Sequence, residues 1–166
     1  MYTLAEVADR IEIQDRINLY CHALDAHEWD RLDEVFLPEA ILDFSCLGLE
    51  PQTWLAMKQR LRTGLPAPFD EHLYTNTHIT FSDDRQSAHS MSKVYNPQGM
   101  PGPDGAVHFF GNHGVYIDEW IRTAAGWRIR DRRWDHRFNS GDYPFATAMP
   151  RAAMYELVDA QADEAP

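Results

Sequence analysis

Apolar residues recur at helical spacing over the first 26 positions, where Leu4, Val7, Ile11, Ile13, Ile17, Tyr20 and Leu24 form a wide arc uninterrupted by Gly or Pro. The pattern predicts one long helix from Leu4 to about Ala26. Trp29, Leu32, Val35 and Phe36 repeat that spacing in HEWDRLDEVF, predicting a second, shorter helix over 28–36 that stops before Pro38. The pair forms a helical hairpin. AILDF (40–44) reads as a short strand, and Pro51 then opens a third helix through QTWLAMKQRLRTG, closed by Gly64 and Pro66.

From residue 71 the character changes. EHLYTNTHITFS, QSAHSMSKVYN, AVHFFGNHGVYIDEWIR and GWRIRDRRWDHRF alternate or carry β-formers, and they read as an antiparallel meander. SDDR makes the first turn, the Pro/Gly-rich PQGMPGPDG the second connection and RTAAG the third. NSGDYPFATAMP is irregular, and RAAMYELVDAQ reads as a last short helix. Helices first and long strands afterwards make an α+β fold: a curved antiparallel sheet wrapped around the helices, with a pocket between the layers.

Polar groups at inward positions are the candidates for chemistry in such a pocket. In EHLYTNTHITF, His72, Tyr74, Asn76 and His78 share one parity, whereas Ile79 and Phe81 fall on the other, which calls for a bulge near Thr77 with Asn76 at the bend. At roughly 3.3 Å per residue, His78 lies about 20 Å beyond His72 and belongs to the rim. Asp25 falls inside the arc of the first helix and is turned inward, where it either caps the following turn or needs a partner. Taken alone, His72 reads more readily as a satisfied core or rim histidine. If the two meet, an ionised carboxylate on one imidazole nitrogen fixes the tautomer and leaves the other nitrogen to take a proton near neutrality.

The remaining histidines show no HxH or HExxH spacing, so no metal site is expected. Trp54, Met57, Phe109, Phe110, Tyr116, Trp127 and Trp134 read as core or pocket wall, suited to a flat apolar substrate. Alternation puts Arg128, Arg130 and Arg132 on one parity with Trp134 and His136, which points to ion pairs at a subunit interface for most of this basic cluster.

Composition narrows the class. The length of 166 residues suits one domain, and a net charge of −11 argues against a phosphate backbone as partner. No apolar run approaches the roughly 20 residues of a membrane span, and the charged, helical N-terminus is unlike a leader, so a cytoplasmic protein is expected. Cys21 and Cys46 form no CxxC pair and read as reduced packing groups.

The run YCHALDAHEWDRLDEVFLPEAILDF, a Trp-bearing helix, EHLYTN and then GWRIRDR resemble the SnoaL-like branch of the nuclear-transport-factor-2-like (NTF2-like) superfamily over residues 5–138. The pattern is most similar to the group holding scytalone dehydratase, bile-acid 7α-dehydratase and hexachlorocyclohexane dehydrochlorinase. The resemblance implies an NTF2-like cone over 1–138, with 139–166 as an extension serving as lid or subunit contact. It implies Asp25 and His72 as a base needing no metal or organic cofactor, Tyr20 facing the pocket, and Asn112 and Arg132 binding or polarising substrate. Phe44 stands where scytalone dehydratase has a substrate-facing Tyr, and with Trp54 and Phe110 it completes the expected substrate wall. The implied activity is a dehydratase-type lyase on a small cyclic or polycyclic hydroxy-carbonyl compound, in a homodimer or homotrimer. The alternatives are an isomerase or polyketide cyclase with the same dyad, and a non-catalytic binder or accessory subunit of an oxygenase.

Overall fold

The computed structural model describes residues 1–63, 69–101 and 105–141. The first helix, α1, spans Leu4–Asp25 and is capped by Thr3, whose side chain accepts from the Glu6 amide. Its buried stripe is Asp9, Ile13, Ile17, Tyr20 and Leu24. Leu4, Val7 and Ile11, expected inside, are exposed instead. Asp9 takes their place because its carboxylate is bound by Arg122, by Arg85 at 2.6 Å and by the Trp127 indole N–H at 3.2 Å. A polar residue thus anchors the apolar face of the helix, compensated by donors from the far ends of the sheet strands.

The second predicted helix is a 3-10 helix, Trp29–Glu34. The chain then turns directly into β1, Phe36–Asp43, so the strand starts earlier than the periodicity suggested and contains Pro38. Pro38 is accommodated because β1 bulges between Phe36 and Ile41, where its register against the neighbouring strand shifts. A two-residue β2 (Gln52–Thr53) precedes α2, Trp54–Arg62, whose N-cap Thr53 accepts from the Ala56 amide. The remaining strands are β3 (Phe69–Asp70), β4 (Leu73–Phe81), β5 (Ser87–Pro101), β6 (Val107–Thr123) and β7 (Gly126–Gly141).

One seven-stranded sheet results, in the order β2-β1-β7-β6-β5-β3, with β4 also paired to β5. Five of its six strand pairings are antiparallel, but β1 joins β7 in parallel and makes the sheet mixed. Trp54, Trp120 and Trp127 are fully buried in the core shared by helices and sheet. The fold is the α+β cone that the element order predicted.

Two irregularities position the site. First, β3 and β4 occupy successive stretches of the same edge of β5, and the chain between them is tied down by Glu71 N donating to the Pro97 carbonyl and Asn96 Nδ2 donating to the Glu71 carbonyl. His72 stands in that gap. Second, β4 bulges between Thr75 and His78, with Asn76 at a φ of 52°, so the inward parity passes from His72 and Tyr74 to Ile79. The bend predicted around Asn76 is therefore present, and His78 is exposed.

The loop PQGMPGPDG does not begin at Pro97: β5 continues to Pro101, paired throughout with β6. Residues 142–166 lie outside the described residues, and with them the short helix RAAMYELVDAQ and most of the proposed extension; residues 139–141 end β7. Among the described residues no helix is long and apolar enough to cross a membrane.

Candidate active site

Asp25 is the last residue of α1 and His72 the residue before β4, 47 positions apart in sequence. The fold brings His72 Nδ1 to 2.6 Å from Asp25 Oδ1, while Asp25 Oδ2 accepts from the His72 backbone amide at 3.2 Å. Both carboxylate oxygens are thus committed to one residue, which fixes the ring as well as the tautomer. Nδ1 carries the proton toward the carboxylate, and Nε2 remains as the basic nitrogen. His72 lines an apolar cavity, whereas Asp25 borders a separate recess shared with His27 and Glu71.

The cavity, about 190 Å³, lies between α1, α2 and the inner face of the sheet. Its apolar wall includes Leu24, Leu32, Phe44, Trp54, Met57 and Trp134. Phe44 and Trp54 line it, with Trp54 held by an indole hydrogen bond to Asp33 Oδ1 and by stacking on Phe36. Phe110 is buried on the inward parity of β6 but does not line the cavity; Asn112, two residues further on, does.

Tyr20 and Tyr116 form the floor: Tyr20 stands edge-on to His72, at 6.2 Å, and to Tyr116, which in turn stacks on Tyr74. Behind this floor lies Arg132. It is fully buried, donates Nε and Nη2 to the two oxygens of Asp118 at 2.7 and 2.8 Å, and stacks 4.3 and 4.4 Å from the ring centres of Tyr20 and Tyr116. Arg132, expected to reach substrate, does not line the cavity: Asp118 holds Nε and Nη2, the Tyr20 and Tyr116 rings cover the group, and Nη1 is buried without a hydrogen-bond partner among the described residues. Arg128 and Arg130 do not share its side either, because the β6–β7 register shifts at Glu119/Trp120 and flips the parity between Ile129 and Arg132.

Burial raises the Tyr20 hydroxyl above its ordinary pKa, with the Arg132 charge opposing that rise. Tyr116 is pushed up in the same way, by burial first. Both therefore stay protonated donors, polarised by a cation directly behind them. Burial pushes the Cys21 thiol up to about 12, leaving no thiolate for nucleophilic chemistry. Cys46 donates its thiol to the Trp134 carbonyl.

Three residues that sequence reasoning missed complete the lining: Asp70, Asn96 and Gln98. Gln98 donates to Asn96 Oδ1 at 2.8 Å and Asn112 Nδ2 approaches the same oxygen at 3.4 Å, so three buried amides form a ladder across β5 and β6. Asn112 Oδ1 is buried without a partner among the described residues. The signal for this ladder was the unbroken even parity Ser90, Ser92, Val94, Asn96, Gln98, which Pro97 and Gly99 disguised as a loop. Among the described residues no group of three His, Cys, Asp or Glu side chains is placed to hold a metal ion.

The profile of the SnoaL-like domain matches residues 5–133, from the start of α1 to the middle of β7. The chain belongs to the SnoaL-like family. An uncharacterised protein of Mycobacterium tuberculosis is 34% identical over 130 residues, covering 78% of this chain and 86% of its own. The SnoaL-like cone is shared with solved structures. A candidate aromatic ring hydroxylase of Novosphingobium aromaticivorans is 28% identical with a TM-score of 0.68, covering 84% of this chain and 97% of its own. A candidate scytalone dehydratase of the same organism is 17% identical with a TM-score of 0.69 over 81% and 87% of the two chains. A type 2 hexachlorocyclohexane dehydrochlorinase is 16% identical with a TM-score of 0.70 over 81% and 89%. The last two likenesses are of fold; family members and neighbours of this kind include enzymes named for elimination reactions.

Proposed function

We propose that this SnoaL-like protein is a cofactor-independent lyase that removes water from a small cyclic hydroxy-carbonyl compound. The observation that carries the reading is the Asp25–His72 contact of 2.6 Å at the wall of an apolar, aromatic cavity. A binder of apolar rings gains nothing from a half-buried carboxylate, whose desolvation is costly, so the pair needs another reason to exist. In the proposed step His72 Nε2 removes the proton next to the carbonyl, and Asp25 stabilises the imidazolium that forms. A base of this kind contributes roughly 10²- to 10⁴-fold. Tyr20 and Tyr116, backed by Arg132, donate to the enolate oxygen, and the Asn112 carboxamide offers its free acceptor to a substrate hydroxyl.

A cavity of about 150 Å³ admits one benzene ring, so about 190 Å³ suits a single substituted ring better than a polycyclic one. Isomerisation and cyclisation share the first step and remain alternatives within this reading. A second reading, a binder or accessory subunit of an oxygenase, has the likeness to the candidate ring hydroxylase in its favour. The test is turnover of cyclic hydroxy-ketones by folded His72→Ala and Asp25→Asn proteins. Activity that survives both changes excludes the dyad, and ligand returned unaltered by the wild type favours the binder.

We further propose a homodimer or homotrimer built through the outer sheet face. Leu73, Met91, Tyr95 and Phe138 are exposed there, and His113 is stacked between Tyr95 and Phe138. Sedimentation should show an assembly that Tyr95→Glu disperses; a monomeric wild type would contradict it.

A further inference from the structure

The dyad supplies a base, and elimination of water also needs an acid placed at the leaving oxygen, because hydroxide leaves readily only when its oxygen gains a proton as the C–O bond breaks. Resting on the reading of His72 as base, we propose that Asp70 is the proton donor to the departing hydroxyl. Asp70 lines the same cavity as His72 and also reaches the recess that holds Asp25. The β3–β5 pairing of Asp70 with Gln98 fixes its backbone beside the amide ladder. Two residues of extended chain put its Cα roughly 7 Å from that of His72, a distance that one ring carbon pair and two side chains can bridge.

Among the described residues, the carboxylates buried around the core and site are claimed: Asp9 by Arg85, Asp25 by His72 and Asp118 by Arg132. Asp70 has no hydrogen bond or ion pair to its carboxyl group among the described residues. A half-buried carboxyl without donors is accommodated most cheaply with its proton on. The groups that face it are Glu71 and His72 on its own segment, Asp25 at the end of α1, His27 in the following turn and Arg60 of α2 across the cavity. Burial raises Asp70 above the ordinary carboxyl range, the Asp25 charge adds to the rise, and His72 and His27 oppose it.

The step balances without a co-reactant. His72 Nε2 takes the proton from the carbon next to the carbonyl, and the C–H electron pair becomes the carbon–carbon double bond. The C–O bond breaks, and the oxygen leaves as water with the Asp70 proton. The imidazolium then returns its proton to the Asp70 carboxylate, which resets both groups.

Two measurements on the full-length protein test this. In carbon NMR with labelled Asp carboxyl groups, the resonance lost in Asp70→Asn should titrate above the ordinary value of about 3.9. Titration at or below that value overturns the proposal. The second uses 3-hydroxycyclohexanone and 3-chlorocyclohexanone, which lose water and hydrogen chloride to give the same enone. Asp70→Asn should slow water loss by about 100-fold or more and chloride loss by less than about 10-fold, since chloride leaves without a proton. His72→Ala should slow both alike. Equal slowing of the two substrates by Asp70→Asn, or slowing of neither, overturns the acid; survival of both reactions in His72→Ala instead overturns the base.

Discussion

Two carboxylates, each held by a nitrogen partner, stand on either side of the tyrosine floor, and the pairs differ in access to the cavity rather than in contact distance. Asp118 and Arg132 meet at 2.7 and 2.8 Å with both side chains 0% exposed, whereas Asp25 and His72 meet at 2.6 Å with 26% and 11% exposed. The first pair joins a permanently charged guanidinium to its carboxylate and closes over it, so it can store no chemistry. The second joins a carboxylate to a ring that can gain and lose a proton, and leaves one ring nitrogen toward the cavity. A sealed pair with a fixed charge organises the floor; an unsealed pair with a titratable member can act on a ligand.

Substitutions at the two pairs should therefore separate cleanly. His72→Ala should lower kcat/KM for the proposed elimination by roughly 10²- to 10⁴-fold while denaturant midpoints move little, because the site is open to water that can solvate Asp25. Asp118→Ala should act the other way round. Leaving Arg132 buried and unpaired should cost about 3–5 kcal/mol of stability, read by urea unfolding, and any surviving folded fraction should retain its proton-transfer step. If Asp118→Ala proves neutral in stability, the distinction between the pairs fails.

Between these extremes lies Tyr20, which touches both. Tyr20→Phe keeps the ring packing and removes only the hydroxyl, so turnover should fall about 10-fold or more with stability within about 1 kcal/mol. A Tyr20→Phe protein as active as the wild type would assign the enolate donor to Tyr116.

The smallest effect concerns a third carboxylate, Asp9. Burial pushes its carboxyl up, but hydrogen bonds from Arg122 and Trp127 and the charges of Arg122 and Arg85 outweigh this and hold it below the usual range. A group depressed in the folded state adds stability above its unfolded pKa, near 3.8, and loses it as the pH falls through the folded value. Asp9→Asn should thus lower stability at neutral pH by about 1–3 kcal/mol and flatten its decline in acid, leaving turnover per folded molecule intact. Unfolding curves at neutral and acid pH decide it.

How far the sequence carried this picture differs by element. Alternation located β4, β6 and β7, and even the bulge near Asn76, because Ile79 and Phe81 contradict the parity of His72. The helical arc turned Asp25 inward and the strand signal placed His72, but their pairing came only from the family resemblance. Leu4, Val7 and Ile11 misled because hydrophobicity cannot see the three donors that make Asp9 the buried member of its turn. Arg132 misled because a bulge on β7 resets parity at a point that no residue type marks. Asn96, Gln98 and Asp70 stayed hidden because Pro97 and Pro68 read as loop, and only pairing across β5 shows that the strand continues. Local pattern names faces within an element; register between elements decides which polar groups converge.

The most direct measurement of the central claim needs no leaving group: deuterium uptake next to the carbonyl of cyclohexanone in heavy water, followed by NMR with the wild type, His72→Ala and Asp25→Asn. Proton abstraction by the pair predicts uptake catalysed by the wild type and slowed about 100-fold or more in His72→Ala, with Asp25→Asn also impaired. Uptake by His72→Ala at the wild-type rate would contradict it.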